Sequence, residues 1–310
     1  MIIANNNPHL HSFEQIRGVV ASAENLEKTK DSLYVATQLT LHGVLDKARE
    51  FIETASKNTQ NQGALTYLTR LEKIRANLGA QDCWHSLQQK GHILRHLLGV
   101  NSIYLPHSES KHLIIVFSTA YNNFGISFPL LHLTLAKAAA SVLYVKNPGQ
   151  GLYCTGSPTM GGSIDELGRF LQKFSAENGF SKVSVLGFSG GGYAALFAAG
   201  CLGASRFIGF GVRTDWSLSC PHPMNPGRVS PEAGEYDTNT LVNLRHADNM
   251  ENIGQASLYY GVLDSLDIYQ AENMRGLPNF EMYPVADSSH NVILSLVAEN
   301  RLEAALQELL

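Results

Sequence analysis

Residues 182–199 carry the feature that most constrains the fold, an apolar run joined to an apolar helix by a glycine-rich turn. Residues 182–186 (KVSVL) predict a buried strand, and residues 193–199 (YAALFAA) predict a tightly packed helix. Between them lies Gly187-Phe188-Ser189-Gly190-Gly191, a G-x-S-x-G sequence. In so sharp a turn the positions two before and two after the serine almost touch, so only Gly or another very small residue fits at both. The turn would hold the Ser189 hydroxyl out of the sheet, where the N–H groups that begin the helix also point.

Three interpretations of this turn are open from the pentapeptide alone. It is an ordinary glycine-rich turn with an incidental serine, a phosphate-binding turn, or the turn that carries a catalytic nucleophile. The predicted strand and helix on either side favour the nucleophile. A serine hydroxyl is a weak nucleophile unless a base takes its proton, so this interpretation requires a histidine and a carboxylate further along the chain.

Composition places the chain among ordinary globular proteins. Its 310 residues suffice for one large domain or for a domain with an appendage, and its hydrophobic content is 44%. The net charge of −4 gives no reason to expect a nucleic acid or an anionic membrane as partner. We expect no signal peptide and no transmembrane segment, because the first residues lack a basic region followed by an apolar one and no apolar run approaches ~20 residues. The expected location is the cytoplasm.

The cysteines are scattered and form no C-x-x-C pair, so free thiols are expected at all four. They are Cys83, Cys154, Cys201 and Cys220. The chain also lacks an H-E-x-x-H sequence, a Cys/His cluster at ligand spacing and a Walker-type G-x-x-x-x-G-K-[ST] sequence. No metal site and no P-loop nucleotide site are therefore predicted.

Residues 1–100 are predicted to form a helical region. Helical spacing occurs over four segments, which are residues 24–41, 45–56, 63–78 and 83–98. Residues 41–51 are weakly similar to the turn of a tetratricopeptide-type helical hairpin, without a second copy at the expected period. A plain helical appendage is the favoured alternative, and it is also a possible surface for a protein partner or for self-association.

Residues 101–310 show a different pattern, in which short apolar runs alternate with amphipathic segments. The runs near residues 112–118, 141–146, 182–186, 207–210, 256–260 and 279–283 predict strands, and the segments near 130–139, 164–178 and 294–310 predict helices. This alternation predicts an α/β domain whose mostly parallel sheet is flanked by helices. Residues 103–105 predict a further, antiparallel strand, and the Pro- and Gly-rich stretch 212–255 predicts a lid over Ser189.

The other two members of a Ser–acid–His set follow the last two predicted strands. His290 comes just before the closing helix and is the predicted general base. The orienting acid is Asp264 or Asp267; Asp264 is preferred because it lies three residues past Gly261, whereas Asp267 is placed to cap the following helix. All three positions follow strand carboxyl ends, where sites of open α/β sheets are built.

An oxyanion hole requires two backbone N–H groups directed at the developing charge. Gly190, directly after the nucleophile, is one predicted donor, and the loop after the first core strand supplies Thr119 or Ala120 as the other. Phe188 and Tyr153 are predicted to line the substrate pocket, with an ordinary loop as the alternative around Tyr153.

The sequence Gly187-Phe188-Ser189-Gly190-Gly191, the spacing Gly261-x-x-Asp264 and the late Ser289-His290 together resemble the α/β-hydrolase superfamily over residues 101–310. Within it, the tyrosine-bearing loop and the glycine-rich turn are similar to a bacterial group linked to surface-polysaccharide pathways. The resemblance implies ester, thioester or amide chemistry through an acyl-enzyme, with a small-molecule acyl substrate and no metal or organic cofactor. A serine esterase is the leading expectation. Acyl transfer to a sugar or another alcohol, and a non-catalytic binding module that docks through residues 1–100, remain alternatives.

Overall fold

A computed structural model describes most of residues 102–309. The described parts are residues 102–119, 123–126, 128–146, 153–154, 156–157, 159–217, 219–221 and 242–309, with residues 2–3 and scattered helical positions between 36 and 97. In chain order the elements are β1 (Ile2–Ile3), β2 (Ser102–Leu105), β3 (His112–Phe117), α1 (Phe128–Leu135), β4 (Ser141–Val145), α2 (Ile164–Glu177), β5 (Lys182–Phe188), α3 (Ser189–Leu202), β6 (Arg206–Phe210), β7 (Ala256–Gly261), α4 (Ser265–Asn273), β8 (Phe280–Val285), α5 (Val292–Ala298) and α6 (Leu302–Leu306). Short 3₁₀ turns cover Leu244–His246, Met250–Asn252 and Gln307–Leu309.

The strands form one eight-stranded sheet in the order β1-β2-β4-β3-β5-β6-β7-β8. β1 and β2 are antiparallel to their neighbours, while β4, β3, β5, β6, β7 and β8 are parallel. The predicted mostly parallel sheet and the antiparallel strand at 103–105 are therefore confirmed. β5 lies in the interior of the sheet, so the residue at its carboxyl end stands over the middle of one edge.

Two apolar cores cover the two faces of the sheet. One contains residues of α2 and α3, among them Leu171 and Leu196, and the other contains residues of α1, α5 and α6, among them Leu131 and Leu296. α3 is apolar nearly all round and buried along most of its length, as its sequence predicts. The predicted closing helix is instead two helices, because Asn300 between α5 and α6 adopts a left-handed φ of 57°.

Within residues 1–100, Ile2–Ile3 form β1, and the described positions between 36 and 97 are helical, with apolar side chains that pack into the core. Ala36, Ala48, Ile52, Leu71, Ile74 and Leu97 are buried in the same core as α1, α5 and α6. The buried Lys146 amine, at the end of β4, donates a hydrogen bond of 2.7 Å to the Leu97 carbonyl. Most of residues 41–51 lie outside the described residues, as does Cys83, so the tetratricopeptide-like hairpin stays a prediction. Cys154, Cys201 and Cys220 are free thiols.

The two ends of the predicted lid, residues 212–255, are fixed parts of the core. The Trp216 indole stacks on Tyr193 of α3 with ring centroids 4.7 Å apart, and the Tyr193 hydroxyl accepts from the Val242 N–H at 3.2 Å and donates to the Val242 carbonyl at 3.1 Å. The Leu244 N–H donates to the Thr214 carbonyl at 2.8 Å, which joins the two ends directly. The described ends of this segment are therefore packed on the core. Residues 222–241 lie outside the described residues, and a lid there stays a prediction.

None of the helices in the described part of the chain has both the length and the apolar character needed to cross a membrane.

Candidate active site

The turn between β5 and α3 is the centre of the candidate site. β5 ends at Phe188 and α3 begins at the next residue, Ser189, which has a left-handed φ of 54°. A non-glycine residue in this conformation is uncommon and costs energy that the surrounding structure must offset. The strained backbone places Ser189 at the strand end and at the amino terminus of α3, as the sequence predicts.

The glycines of this turn are required by close approaches of neighbouring atoms. A β-carbon on Gly187 would lie 2.7 Å from the Gly192 Cα and 2.6 Å from the Ala195 Cβ, so this glycine lets α3 cross close to β5. A β-carbon on Gly191 would lie 2.1 Å from the Ser118 carbonyl oxygen at the end of β3. Both positions therefore require glycine, as the sequence predicts, although the nearest obstacle belongs to α3 at Gly187 and to the end of β3 at Gly191.

Ser189, His290 and Asp267 form a continuous hydrogen-bonded chain. His290 Nε2 lies 2.7 Å from Ser189 Oγ, and His290 Nδ1 lies 2.7 Å from Asp267 Oδ1. His290 lies in the loop between β8 and α5, and Asp267 lies in the first turn of α4. When Nδ1 carries the proton that Asp267 accepts, Nε2 is left to accept the proton of Ser189.

The preference for Asp264 as the partner of His290 is wrong in this structure. Asp264 is the N-cap of α4, and its Oδ1 accepts from the Leu266 N–H at 3.0 Å and the Asp267 N–H at 3.1 Å. Asp267 holds the contact with His290. The two aspartates therefore have the opposite roles to those predicted from the spacing after Gly261. Asp264 begins α4, and the side chain that reaches the imidazole comes three residues later, in the first turn of the helix.

The pair of Asp267 and His290 lies in a narrow space beside Gly211, which follows β6. Asp267 is 1% exposed, and its Oδ2 has no hydrogen-bond partner among the described residues. Gly211 has a φ of 52°, and a β-carbon there would lie 3.1 Å from Asp267 Oδ2 and 3.2 Å from His290 Nδ1. Any larger residue at 211 would therefore press on both side chains.

The ring of Phe188 stacks against the imidazole of His290. The Phe188 and His290 ring centroids are 5.5 Å apart with planes 29° apart, and Phe188 is 5% exposed. The next residue, Asn291, donates through Nδ2 to the Gly125 carbonyl at 3.2 Å and accepts the Leu294 N–H through Oδ1. Phe188, predicted to line the pocket, is placed instead as packing for the histidine.

These observations fix the architecture: the strand order, the turn at the carboxyl end of an interior strand, and the serine, carboxylate and histidine in that order along the chain. The fold is that of an α/β hydrolase. No family model matches the chain. No curated protein matches it either.

Several solved structures resemble this chain distantly. An α/β hydrolase enzyme from the metagenome of sediments from the lagoon of Mar Chica, Morocco, is 18% identical, with 67% of this chain and 94% of that chain covered and a TM-score of 0.45. Carboxyl esterase 2 from the mycorrhizal fungus Tuber melanosporum is 11% identical, with 68% and 82% covered and a TM-score of 0.49. A serine hydrolase without a lid from Xanthomonas campestris is 16% identical, with 68% and 89% covered and a TM-score of 0.39. The finer likeness to proteins of surface-polysaccharide pathways stays a prediction.

The three predicted oxyanion donors, Gly190, Thr119 and Ala120, differ in what the structure shows of them. Gly190 lies in the first turn of α3, where backbone N–H groups lack partners within the helix. The Thr119 N–H donates to the Asn123 carbonyl at 2.8 Å, and the Thr119 hydroxyl donates to the Asn123 side chain at 2.9 Å. Thr119 is thus engaged in its own loop, which argues against it as the second donor. Ala120 lies outside the described residues and stays a prediction.

Tyr153 is buried and does not line a pocket. It is 1% exposed, its hydroxyl accepts from the Ser118 N–H at 3.0 Å, and it donates to the Val145 carbonyl at 2.8 Å. Ser118 and Val145 lie at the carboxyl ends of β3 and β4, so these hydrogen bonds attach the Tyr153 loop to the sheet edge that carries Ser189. The prediction of a pocket residue is corrected for this reason.

Gly211 and Asn291 belong to the candidate site but were not predicted from the sequence. Gly211 follows β6 at the edge that carries Ser189, and a glycine directly after a predicted strand was the available signal. Asn291 is adjacent to the predicted base, but its contact with the 123–126 loop spans 166 positions and has no local signal.

Asp264, Asp267 and His290 also form a group of possible metal ligands within 4.8 Å of one another. The direct hydrogen bond between His290 and Asp267 accounts for that proximity.

Proposed function

We propose that this protein is a serine hydrolase that cleaves a carboxylic ester or thioester through an acyl-enzyme on Ser189. The observation that carries the proposal is the chain of two 2.7 Å contacts from Ser189 through His290 to Asp267. The α/β-hydrolase fold supports it, because that chain lies at the sheet edge where such folds build their sites.

In the first half-reaction, Ser189 Oγ attacks the substrate carbonyl carbon while His290 Nε2 takes the hydroxyl proton. The buried Asp267 carboxylate stabilises the imidazolium that forms. Gly190 at the start of α3 donates its N–H to the oxyanion of the tetrahedral intermediate. The intermediate collapses as the carbon–oxygen or carbon–sulfur bond breaks, and His290 returns the proton to the leaving alcohol or thiol.

In the second half-reaction, a water molecule attacks the acyl carbon and gives its proton to His290 Nε2. The bond between the acyl carbon and Ser189 Oγ then breaks, and His290 reprotonates the serine. The product is a carboxylic acid, and the enzyme returns to its starting state.

The test is labelling of the full chain with a fluorophosphonate probe, followed by peptide mapping and by assay of a small p-nitrophenyl ester. We expect the adduct on Ser189 and a fall in ester hydrolysis of roughly 10³-fold or more in Ser189→Ala. Ser205→Ala is the matched control, because Ser205 is exposed and lies before β6, at the opposite edge of the sheet. An unlabelled protein whose Ser189→Ala variant hydrolyses the ester at the wild-type rate would overturn the proposal.

A further inference from the structure

We propose that Asp264 is a positioning residue of this site, which acts by holding the first turn of α4 so that Asp267 meets His290. The inference rests on the proposed function, because it assigns a role within the same Ser189–His290–Asp267 set. It replaces the role that the sequence suggested for Asp264 with one exerted through the backbone.

Among the described residues, the Asp267 carboxylate has only His290 to orient it through a hydrogen bond. Its Oδ1 contacts His290 Nδ1, and its buried Oδ2 has no hydrogen-bond partner among the described residues. Buried carboxylates are ordinarily held by several donors. With one contact, the direction of this side chain depends on where the backbone of α4 places residue 267.

Asp264 holds the backbone of residue 267 directly. Its Oδ1 accepts from the N–H of Asp267 itself at 3.1 Å and from that of Leu266 at 3.0 Å. Its own carbonyl accepts the Ile268 N–H at 3.0 Å, and its N–H donates to the Gly261 carbonyl at 3.3 Å. The cap therefore connects the end of β7 with the turn that carries the acid.

The rest of α4 is held by contacts that do not involve Asp264. Gln270 Oε1 accepts from the Thr214 N–H at 2.6 Å and the Asp215 N–H at 2.7 Å, and Tyr269 donates to Asp215 Oδ2 at 2.9 Å. Loss of the Asp264 cap should therefore leave the body of the helix in place. It should loosen the first turn, which carries Asp267.

The test compares Asp264→Ala with Asp264→Asn and Asp264→Ser, which are both good N-cap residues. We expect Asp264→Ala to lower kcat for a small ester by roughly 10- to 100-fold with KM within about twofold, as misplacement of a catalytic group does. Asp264→Asn and Asp264→Ser should restore most of kcat. The rate of fluorophosphonate labelling should follow kcat, since it reports activation of the serine without turnover.

The matched control is Ser163→Ala, which removes the N-cap of α2, where the Ser163 side chain accepts the Glu166 N–H at 3.2 Å. It should lower the melting temperature without lowering kcat. If Asp264→Ala does not fold, Asp264→Gly replaces it, because Gly is tolerated at an N-cap and also lacks the acceptor oxygen.

A wild-type kcat in Asp264→Ala would overturn the inference, and so would an Asp264→Asn variant as impaired as Asp264→Ala, because the effect would then come from charge. Either result leaves the proposed function intact if Ser189→Ala is inactive. Wild-type turnover in Ser189→Ala would instead remove the proposed function itself.

Discussion

The carbonyl oxygen of Ser118 lies 2.1 Å from the position that a β-carbon would take on Gly191. This close approach brings the carboxyl end of β3 next to the first turn of α3, two residues after Ser189. It requires glycine at 191 for a reason unrelated to backbone conformation, since the obstacle is a backbone atom that cannot rotate away.

Gly191→Ala should therefore displace α3 from β3 and lower the free energy of unfolding by about 1–3 kcal/mol or more, as overpacking does. Labelling of Ser189 should fall with it. Thermal unfolding and probe labelling measure the two effects. Gly162→Ala is the control, because a β-carbon there meets its nearest atom at 3.5 Å, an ordinary contact. Equal stability losses in the two variants would contradict this account of Gly191.

Asp267→Asn should lower kcat by roughly 10³- to 10⁴-fold, because an amide in place of the carboxylate cannot hold His290 in the tautomer that accepts the Ser189 proton. Steady-state kinetics on a small ester measures the loss. Asp165→Asn, on an exposed position of α2, is the matched charge control and should retain activity. Activity near wild type in Asp267→Asn would return Asp264 to consideration as the acid.

Tyr153→Phe should lower the free energy of unfolding by about 0.5–1.5 kcal/mol, because it removes the buried hydroxyl that bonds to the Ser118 N–H and to the Val145 carbonyl, which also bond to each other. Urea denaturation measures the difference. Tyr283→Phe is the comparison, since the Tyr283 hydroxyl bonds to the exposed Glu281 side chain and its loss should cost little. The prediction fails if both variants lose the same stability.

Lys146 should make folding stability depend on pH. Burial lowers the pKa of its amine from 10.5 to about 7. Between these values the unfolded chain binds the proton and the folded chain does not, so stability rises with pH by at most ~1.4 kcal/mol per unit. This contribution is complete above pH 10.5 and is lost as the pH falls to about 7.

Urea denaturation at about pH 7 and about pH 9 should therefore show wild type gaining stability relative to Lys146→Met as the pH rises. Lys137→Met is the control, since the Lys137 side chain is 55% exposed and pairs with Glu303 at the surface. A pH-independent difference between wild type and Lys146→Met would show that the amine keeps its ordinary pKa.

Local patterns were sufficient for the architecture and for two members of the candidate site. Continuous apolar runs alternate with amphipathic segments, so the strands, the parallel sheet and the turn at Ser189 follow from short-range periodicity. His290 follows from its position after the last strand, because the carboxyl ends of parallel strands meet at one edge. Each inference uses residues within one element or the order of elements along the chain.

Side-chain partners were decided only by tertiary structure. Asp264 and Asp267 are three residues apart and chemically identical, and only the start of α4 determines which one caps the helix and which one meets His290. Tyr153 and Thr119 have sequence positions suited to a pocket and an oxyanion hole, but the chain uses the Tyr153 hydroxyl and the Thr119 N–H to satisfy backbone groups nearby. A sequence lists donors and acceptors, whereas their pairing depends on distances between segments that lie far apart in the chain.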